Sequence, residues 1–421
     1  MSYDLIVALD RADQEIDVCL QKAGMIELET VASAPEALSQ WWKKVQAGHP
    51  QAKIAVVFEQ PAENLLAFFA EAQASIYALN PAVVARYRGA LYPSGAKDDW
   101  RDCKVMADLI SRHHEQFRPW PRESAAVRRL TALVEGRRAL VQQRVDLSNQ
   151  LQAVLKKIYP QALTLVGQDL WRPLATDFLR RWPTLQSLQK TRPQTLRSFY
   201  HLHRSRSQAR IDERLQAIAA AVPLTQDPAL TEPAALLVVS LVQIIEPVVS
   251  AIEHFDAQIE EVFATCQDAA LFRQLPGAGP VLAPRLVCAF GEDRTRFTTA
   301  AQLQAYSGIA PITQQTGRTK SIARRRRCPH FLRQTFHEYA ACSVRASLWA
   351  KAYYLTQRQH GKRHNAAVRA LAFKWQRVLF ACWQHRCPYD EQRYLDSLLK
   401  AGSPLVAVIQ TLKAKNNLSA A

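Results

Sequence analysis

Several absences narrow the chain before any motif is considered. Glycine occupies only 13 of 421 positions and hydrophobic residues reach 48%, which excludes a low-complexity or disordered chain and leaves room for two or three well-buried domains. None of the eight cysteines (Cys19, Cys103, Cys266, Cys288, Cys328, Cys342, Cys382, Cys387) forms the two-residue-spaced pair usual for zinc. The closest pair, Cys382 and Cys387 around His385, has poor ligand spacing, so reduced structural thiols and no zinc are expected. The first ten residues lack a basic leader and a small-residue cleavage site, which points to the cytoplasm. The most apolar later stretch, Leu236 to Val249, is interrupted by Gln243, Glu246 and Pro247 and falls short of the ~20 residues that cross a bilayer. It reads as a buried helix, and no membrane partner is expected.

Acidic residues are scarce in one place above all. Residues 1–119 carry 12 basic and 16 acidic side chains and residues 120–269 carry 18 and 15, whereas residues 270–400 carry 22 and 6. The last third therefore holds nearly all of the chain's +17. A one-sided positive field of that size argues for a polyanionic partner, nucleic acid before an anionic membrane.

Along the chain, Leu5 to Asp10, Glu15 to Gln21 and Met25 to Val31 read as three antiparallel strands. A helix over Pro35 to Gln46 precedes Ile54 to Phe58, an unalternating apolar run typical of a strand covered on both faces. A helix near Pro61, a strand at Ser75 to Leu79 and a helix from Asp98 or Asp99 to about His114 complete an α/β domain over residues 1–119. Residues 120–268 change character. Glu123 to Ile158 is a long helix with Leu133, Leu140, Leu147 and Val154 one heptad apart. Leu241, Ile245, Val248, Ile252, Phe255, Ile259 and Val262 alternate steps of four and three, with Pro247 as a possible kink. These coiled-coil seams pair with each other or with copies in another subunit, so a homo-oligomer is in view. Residues 269–400 form a mainly helical basic domain, and residues 401–421 read as a frayed tail.

Four acids in the first domain are poorly explained by core-building. Asp10 and Glu59 each end an apolar strand, and Asp99 and Asp102 lie three apart on one helical face. Singly, each has a bland reading as a turn residue, a cap or a solvated charge. Together they offer oxygen ligands for two Mg²⁺ ions ~4 Å apart, a set suited to the attacking and leaving oxygens of a phosphodiester.

Val7-Ala8-Leu9-Asp10, Val56-Val57-Phe58-Glu59-Gln60-Pro61 and Lys97-Asp98-Asp99-Trp100-Arg101-Asp102 occur in that order. They resemble the Asp-Glu-Asp-Asp motifs of the insertion-sequence 110/1111 family of transposases. The resemblance implies a RuvC-like (ribonuclease H) first domain with Asp10, Glu59, Asp99 and Asp102 as Mg²⁺ ligands and Lys97 beside them. Asp98 stands where the family more often has a small hydroxyl residue, so Asp98 and Asp99 are alternatives one position apart.

The last third is similar to the family's second domain. The similarity runs through Leu275-Pro276-Gly277-Ala278-Gly279-Pro280, Leu303 to Pro311, Phe331 to Phe336, Ala366 to Trp375 and Pro388-Tyr389-Asp390. It implies a recombinase in which a second-domain serine attacks DNA to form a covalent link. It also implies an element-encoded guide RNA that pairs with donor and target DNA, and assembly as a dimer or tetramer. Here the expected serine is replaced, in Gln314-Gln315-Thr316-Gly317-Arg318, by Thr316, whose methyl crowds attack and restricts χ1. Ser307 and Ser321 are the nearby alternatives.

Gly277 and Gly279 open a helix and either admit a phosphate to the backbone or form an ordinary helix–helix turn. Arg318, Lys320, Arg324, Arg325, Arg326, Arg327 and Arg333 suit phosphate contacts that position nucleic acid without reading its sequence. Tyr353, Tyr354 and Trp375 either stack on bases or belong to the core. Two rivals remain beside the recombinase: a RuvC-like nuclease that hydrolyses DNA with water, and a silent nucleic-acid-binding scaffold.

Overall fold

The computed structural model describes residues 3–59, 63–70, 74–92, 99–120, 123–317 and 319–420. It divides into two compact units, residues 1–122 and 123–421.

In the first unit β1 (Leu5–Arg11), β2 (Glu15–Lys22) and β3 (Met25–Ala32) form an antiparallel meander. The β2–β3 turn rests on Ala23 (φ 47°) and Gly24 (φ 85°), the two positive φ angles that a tight hairpin with right-handed strand twist requires. After α1 (Pro35–Gly48) come β4 (Ile54–Glu59), α2 (Glu63–Ala70), β5 (Ser75–Leu79), α3 (Pro81–Leu91) and α4 (Asp99–His113). The intervening helices return the chain to the same end of the sheet, so β4 runs parallel to β1 and β5 parallel to β4. The strand order is β3-β2-β1-β4-β5. The unalternating runs in β1 and β4 are covered on both faces. Leu5, Val7, Leu9, Val56 and Phe58 pack with Trp41, Trp42 and Phe69, while Ile6, Ala8, Ala55 and Val57 pack with Cys103, Met106 and Ile110 of α4.

The second unit begins with α5 (Ala125–Ile158), capped by Ser124, whose Oγ accepts from the Val127 amide at 3.3 Å. The polar, proline-containing stretch after it folds into α6 (Gln161–Val166), α7 (Pro173–Arg181), α8 (Leu185–Gln189), α9 (Pro193–Leu202) and α10 (Gln208–Ala220). Their core is Phe178, Trp182, Phe199 and Tyr200, closed by Leu151 and Leu155 of α5. α11 (Pro228–Thr265) then packs along α5 within the same chain. Arg137 donates to Asp256 at 2.5 and 3.0 Å across this pair. The buried line of α5 is Val127, Leu130, Val134, Leu151 and Leu155, one position from the expected leucine heptad.

α11 also corrects the expected limit of Leu236 to Val249. It continues through Pro247 and by length and composition alone could cross a bilayer. Its Leu241, Val242, Ile245, Ile252 and Ile259 are buried inside the protein, while Leu236, Leu237 and Ile244 are exposed.

α12 (Ala269–Arg273), α13 (Gly279–Phe290) and α14 (Ala300–Tyr306) lead into a hairpin of β6 (Ile312–Thr316) and β7 (Thr319–Ala323). Helical periodicity gave no hint of this hairpin. α15 (His330–Ala346), α16 (Leu348–Gln359), α17 (His364–His385) and α18 (Glu391–Lys400) follow. A second correction concerns residues 401–421, expected as a frayed tail. Leu405–Ala420 is α19, held on α16 by the burial of Leu405 and Ile409.

Candidate active site

Two groups of chemically capable residues lie one in each unit. In the first, the parallel register pairs Leu9 with Phe58, so Asp10 and Glu59 are the next residues on adjacent strands. Alternation along the strands sends both to the α4 side of the sheet, the side of Ala8 and Val57. The antiparallel register pairs Asp10 with Asp17 of β2. Three carboxylate-bearing residues thus cross β2, β1 and β4 in one row. Asp17, which sequence reading missed, accepts from Thr30 Oγ1 at 3.0 Å. No local pattern marks it, because its partner is fixed only by strand register.

α4 brings a further acid to this end of the sheet. The Cys103 thiol donates to the Asp17 carbonyl at 3.2 Å, and burial first and then the neighbouring Asp10 charge push its pKa well up. Asp102 precedes it and is buried, with both carboxylate oxygens accepting from Arg88 Nη1 of α3 at 2.5 and 2.6 Å. The first turn of α4 therefore reaches the Asp10 end already neutralised at Asp102. Asp99 opens α4, but its side chain lies outside the described residues, as do Lys97 and Asp98. Among the described side chains no three acid, His or Cys groups converge on a common cation position. The fit to a hard divalent cation therefore rests on adjacent Asp10 and Glu59, with Asp102 available if it exchanges Arg88 for the ion.

In the second unit Thr316 ends β6 and is exposed at the hairpin tip, paired in register with Thr319 across a turn containing Gly317 (φ 56°). Arg318 and the Lys320 side chain lie outside the described residues. Ser321 is exposed on β7, its hydroxyl 3.5 Å from the Gln314 carbonyl. Ser307 differs. It is buried, donates to the Gln304 carbonyl at 3.3 Å and accepts from Gln376 Nε2 at 2.7 Å, so its hydroxyl is committed to the core. Ala323 at the end of β7, with Arg324, Arg326 and Arg333 after it, lines a cavity of about 470 Å³. Among the described residues, no carboxylate forms a salt bridge with any of Arg324, Arg325, Arg326, Arg327 and Arg333.

The glycine turn divides in two. Gly277 has φ 80°, and a Cβ there would lie 2.9 Å from the backbone carbon and oxygen of Cys342 in α15, so its missing side chain serves helix packing rather than phosphate approach. Gly279 has φ 55° and open space around it. Gly277→Ala is expected to cost roughly 2–5 kcal/mol, because left-handed strain and a backbone clash add. Gly279→Ala, with the strain alone, is expected to cost about 1–2 kcal/mol. Denaturant melts of both variants check the difference. Trp375 belongs to the core, its ring 4.6 Å from Trp349 and its Nε1 donating to Ser343 Oγ at 2.8 Å. Tyr353 and Tyr354 are half-buried, and the Tyr354 hydroxyl sits 2.8 Å from His364 Nδ1.

Comparison with known proteins bears on both groups. Residues 7–160 match a family model described as transposase, the Asp-Glu-Asp-Asp type of IS110. Residues 269–355 match one described as transposase, IS116/IS110/IS902 family. The chain is 30% identical over 354 residues to the mini-circle putative transposase for IS117 of Streptomyces coelicolor, covering 83% of this chain and 86% of that protein. The chain belongs to the IS110 family of transposases.

Other relatives of this transposase include the IS116 44.8 kDa protein of Streptomyces clavuligerus, 29% identical over 301 residues, 71% of this chain and 73% of that one. The IS110 43.6 kDa protein of S. coelicolor is 26% identical over 330 residues, 78% and 79% of the two chains. The first matched segment carries Asp10, Glu59 and Asp102, and the second carries the hairpin, Thr316 and the arginine run. Neither family model spans any part of α6–α11 of this transposase. Transposases of this family act on DNA, which gives the arginines after β7 a polyanion to meet.

Proposed function

We propose that this transposase is a site-specific DNA recombinase, guided by an element-encoded RNA, that cleaves and exchanges strands through a covalent link to Thr316. The observation that carries the reading is the side-by-side register of Asp10 and Glu59. Side by side on adjacent strands, the two carboxylates offer oxygen ligands to one divalent cation, the ion that serves phosphodiester chemistry. The strand order β3-β2-β1-β4-β5, with its antiparallel meander and parallel β4 and β5, supports a RuvC-like reading of the first unit.

Asp10 and Glu59, with Asp99 and Asp102, would hold Mg²⁺, which supplies charge stabilisation to the reacting phosphodiester. Thr316 Oγ1 attacks phosphorus and gives up its hydroxyl proton to water, the bond from phosphorus to a deoxyribose oxygen breaks, and that oxygen takes up a proton from water, so the step is balanced in protons and charge. In the reverse sense, a hydroxyl of the second DNA displaces Oγ1 and joins the strands. Arg324, Arg325, Arg326, Arg327 and Arg333 hold phosphates and orient the strand. The strongly basic last third accommodates both RNA and DNA. The exposed apolar Leu236, Leu237 and Ile244 of α11 favour assembly as a dimer or tetramer.

The test incubates the purified protein with element RNA, labelled donor and target DNA, and Mg²⁺. Joined donor–target strands are expected, and their disappearance on omitting RNA or adding EDTA. Cut ends without joining would instead favour a hydrolytic nuclease.

A further inference from the structure

The middle of the chain, near neutral as a whole, hides an acid-free stretch. Residues 178–211 carry eight basic side chains and no acidic one. They run from the end of α7 to the start of α10, a part of the chain that neither family model spans. Two of the eight are used inside the protein, Arg180 by Asp177 and Glu246, and Arg197 by Asp212 at 2.5 Å. Lys190, Arg192, Arg204, Arg206 and Arg210 are exposed, and among the described residues no carboxylate forms a salt bridge with any of them.

Their placement follows from α9. Its inner face is buried through Leu196, Phe199 and Tyr200, and its outer face shows Gln194, Ser198 and His201, exposed and spaced by four and three. Lys190 and Arg192 precede the helix, and Arg204 and Arg206 follow it. A helix of 10 residues holds these two basic pairs at opposite ends, about 15 Å apart along its axis.

The second pair sits on a defined turn. The amides of Arg204 and Ser205 donate to the carbonyls of His201 and Tyr200 at 3.0 and 2.9 Å, closing α9 with Arg204 in the left-handed conformation at φ 60°. Glycine is the usual residue there, because a Cβ is strained in that conformation. Arg214 fixes the same turn, its Nη1 donating to Ser205 Oγ at 3.1 Å and its guanidinium lying 4.6 Å from the centre of the Tyr200 ring. An arginine kept at a glycine position, with no salt bridge among the described residues, has its use outside the chain.

We propose that α9 lies across the major groove of duplex DNA, with Lys190 and Arg192 on one phosphate backbone and Arg204 and Arg206 on the other. That groove is about 12 Å wide and admits a helix, which matches the separation of the two pairs. The major groove of an RNA duplex is deep and too narrow for side chains to enter, so the spacing favours DNA. Phosphate contacts at both ends position the duplex, while Gln194 and Ser198 face the base edges between them. The surface rests on the family's action on DNA, not on the covalent or RNA-guided steps, and none of its residues belongs to the β6–β7 hairpin or the arginine run.

The experiment measures binding of the full-length protein to a labelled DNA duplex and to an RNA duplex of equal length over a range of salt. Lys190→Gln with Arg192→Gln, and Arg204→Gly with Arg206→Gln, are each expected to weaken DNA binding roughly tenfold and to lower the salt slope by about two. Arg204→Gly alone is expected to lower the slope by about one and to melt no lower than the parent, a split that a merely structural arginine would not produce. Arg172→Gln, in the same helical region but already paired with Asp169, is the control and is expected to stay within about twofold of wild type. Wild-type slope and affinity in both pairs, with the native protein binding DNA, would overturn the surface and leave the recombinase reading intact. A defect in one pair only would overturn the bridging of the groove, and an equal defect on the RNA duplex would overturn the assignment to DNA. A native protein that does not bind DNA would overturn both this surface and the recombinase reading. Should the Arg204→Gly and Arg206→Gln pair fail to melt cooperatively, Arg206→Gln alone decides by its slope.

Discussion

Asp10→Asn and Glu59→Gln each reduce strand cleavage and exchange by about 10³-fold or more, equivalent to several kcal/mol of lost transition-state stabilisation. DNA binding survives in both. The geometry makes this a test of chemistry rather than folding, because Asp10 stands in register between Asp17 and Glu59. Asp10→Asn keeps the size and shape of the side chain at a strand end, so it is expected to stay within about 1 kcal/mol of the parent's stability. A residue kept for packing behaves oppositely, losing stability and activity together. Comparing a thermal melt with a strand-exchange assay separates the two, and exchange retained in both variants would sink the carboxylate assignment. A Mg²⁺ titration adds a third reading, since losing one ligand raises the metal concentration needed for half-maximal cleavage.

The same residues indicate how far the sequence could be read. The apolar runs of β1 and β4 fix both strands, and their ends fix Asp10 and Glu59, because strand periodicity is local. Asp17 and Arg88 escaped for the opposite reason. Asp17 belongs to the row only through the β1–β2 register, and Arg88 meets Asp102 only because α3 packs beside α4. The helices α6–α9 were hidden because none exceeds 10 residues, too few to display a clear apolar period. Phe178, Trp182 and Phe199 become a core only when several helices meet. β6 and β7 carry almost no buried side chains, so no alternating apolar signal announces them. α19 was misread because its fixation depends on Leu405 and Ile409 meeting α16, a contact between distant segments. Trp375, rich in chemical possibility by composition, is settled in the core by Tyr339, Trp349 and Tyr389 around it.

Thr316→Ala abolishes the protein–DNA adduct on a denaturing gel, a loss on the order of 10⁴-fold or more if Oγ1 is the attacking atom. Thr316→Ser keeps the adduct and forms it faster, because removing the Cγ2 methyl frees χ1 and opens the approach to phosphorus. Position in the hairpin supports this ordering of the hydroxyls. Thr316 is exposed where the chain reverses at Gly317, and the segment that follows β7 carries the arginines lining the cavity. Ser307 has no route to a strand, since its hydroxyl is buried between Gln304 and Gln376; its loss is expected to cost stability rather than adduct. Ser321 is exposed, so Ser321→Ala is the decisive companion. An adduct that survives Thr316→Ala but vanishes in Ser321→Ala would move the nucleophile to the opposite strand of the hairpin. Strands cut without an adduct in any variant would leave water as the attacking group, with the carboxylates of the first unit still required and the hairpin reduced to holding the DNA.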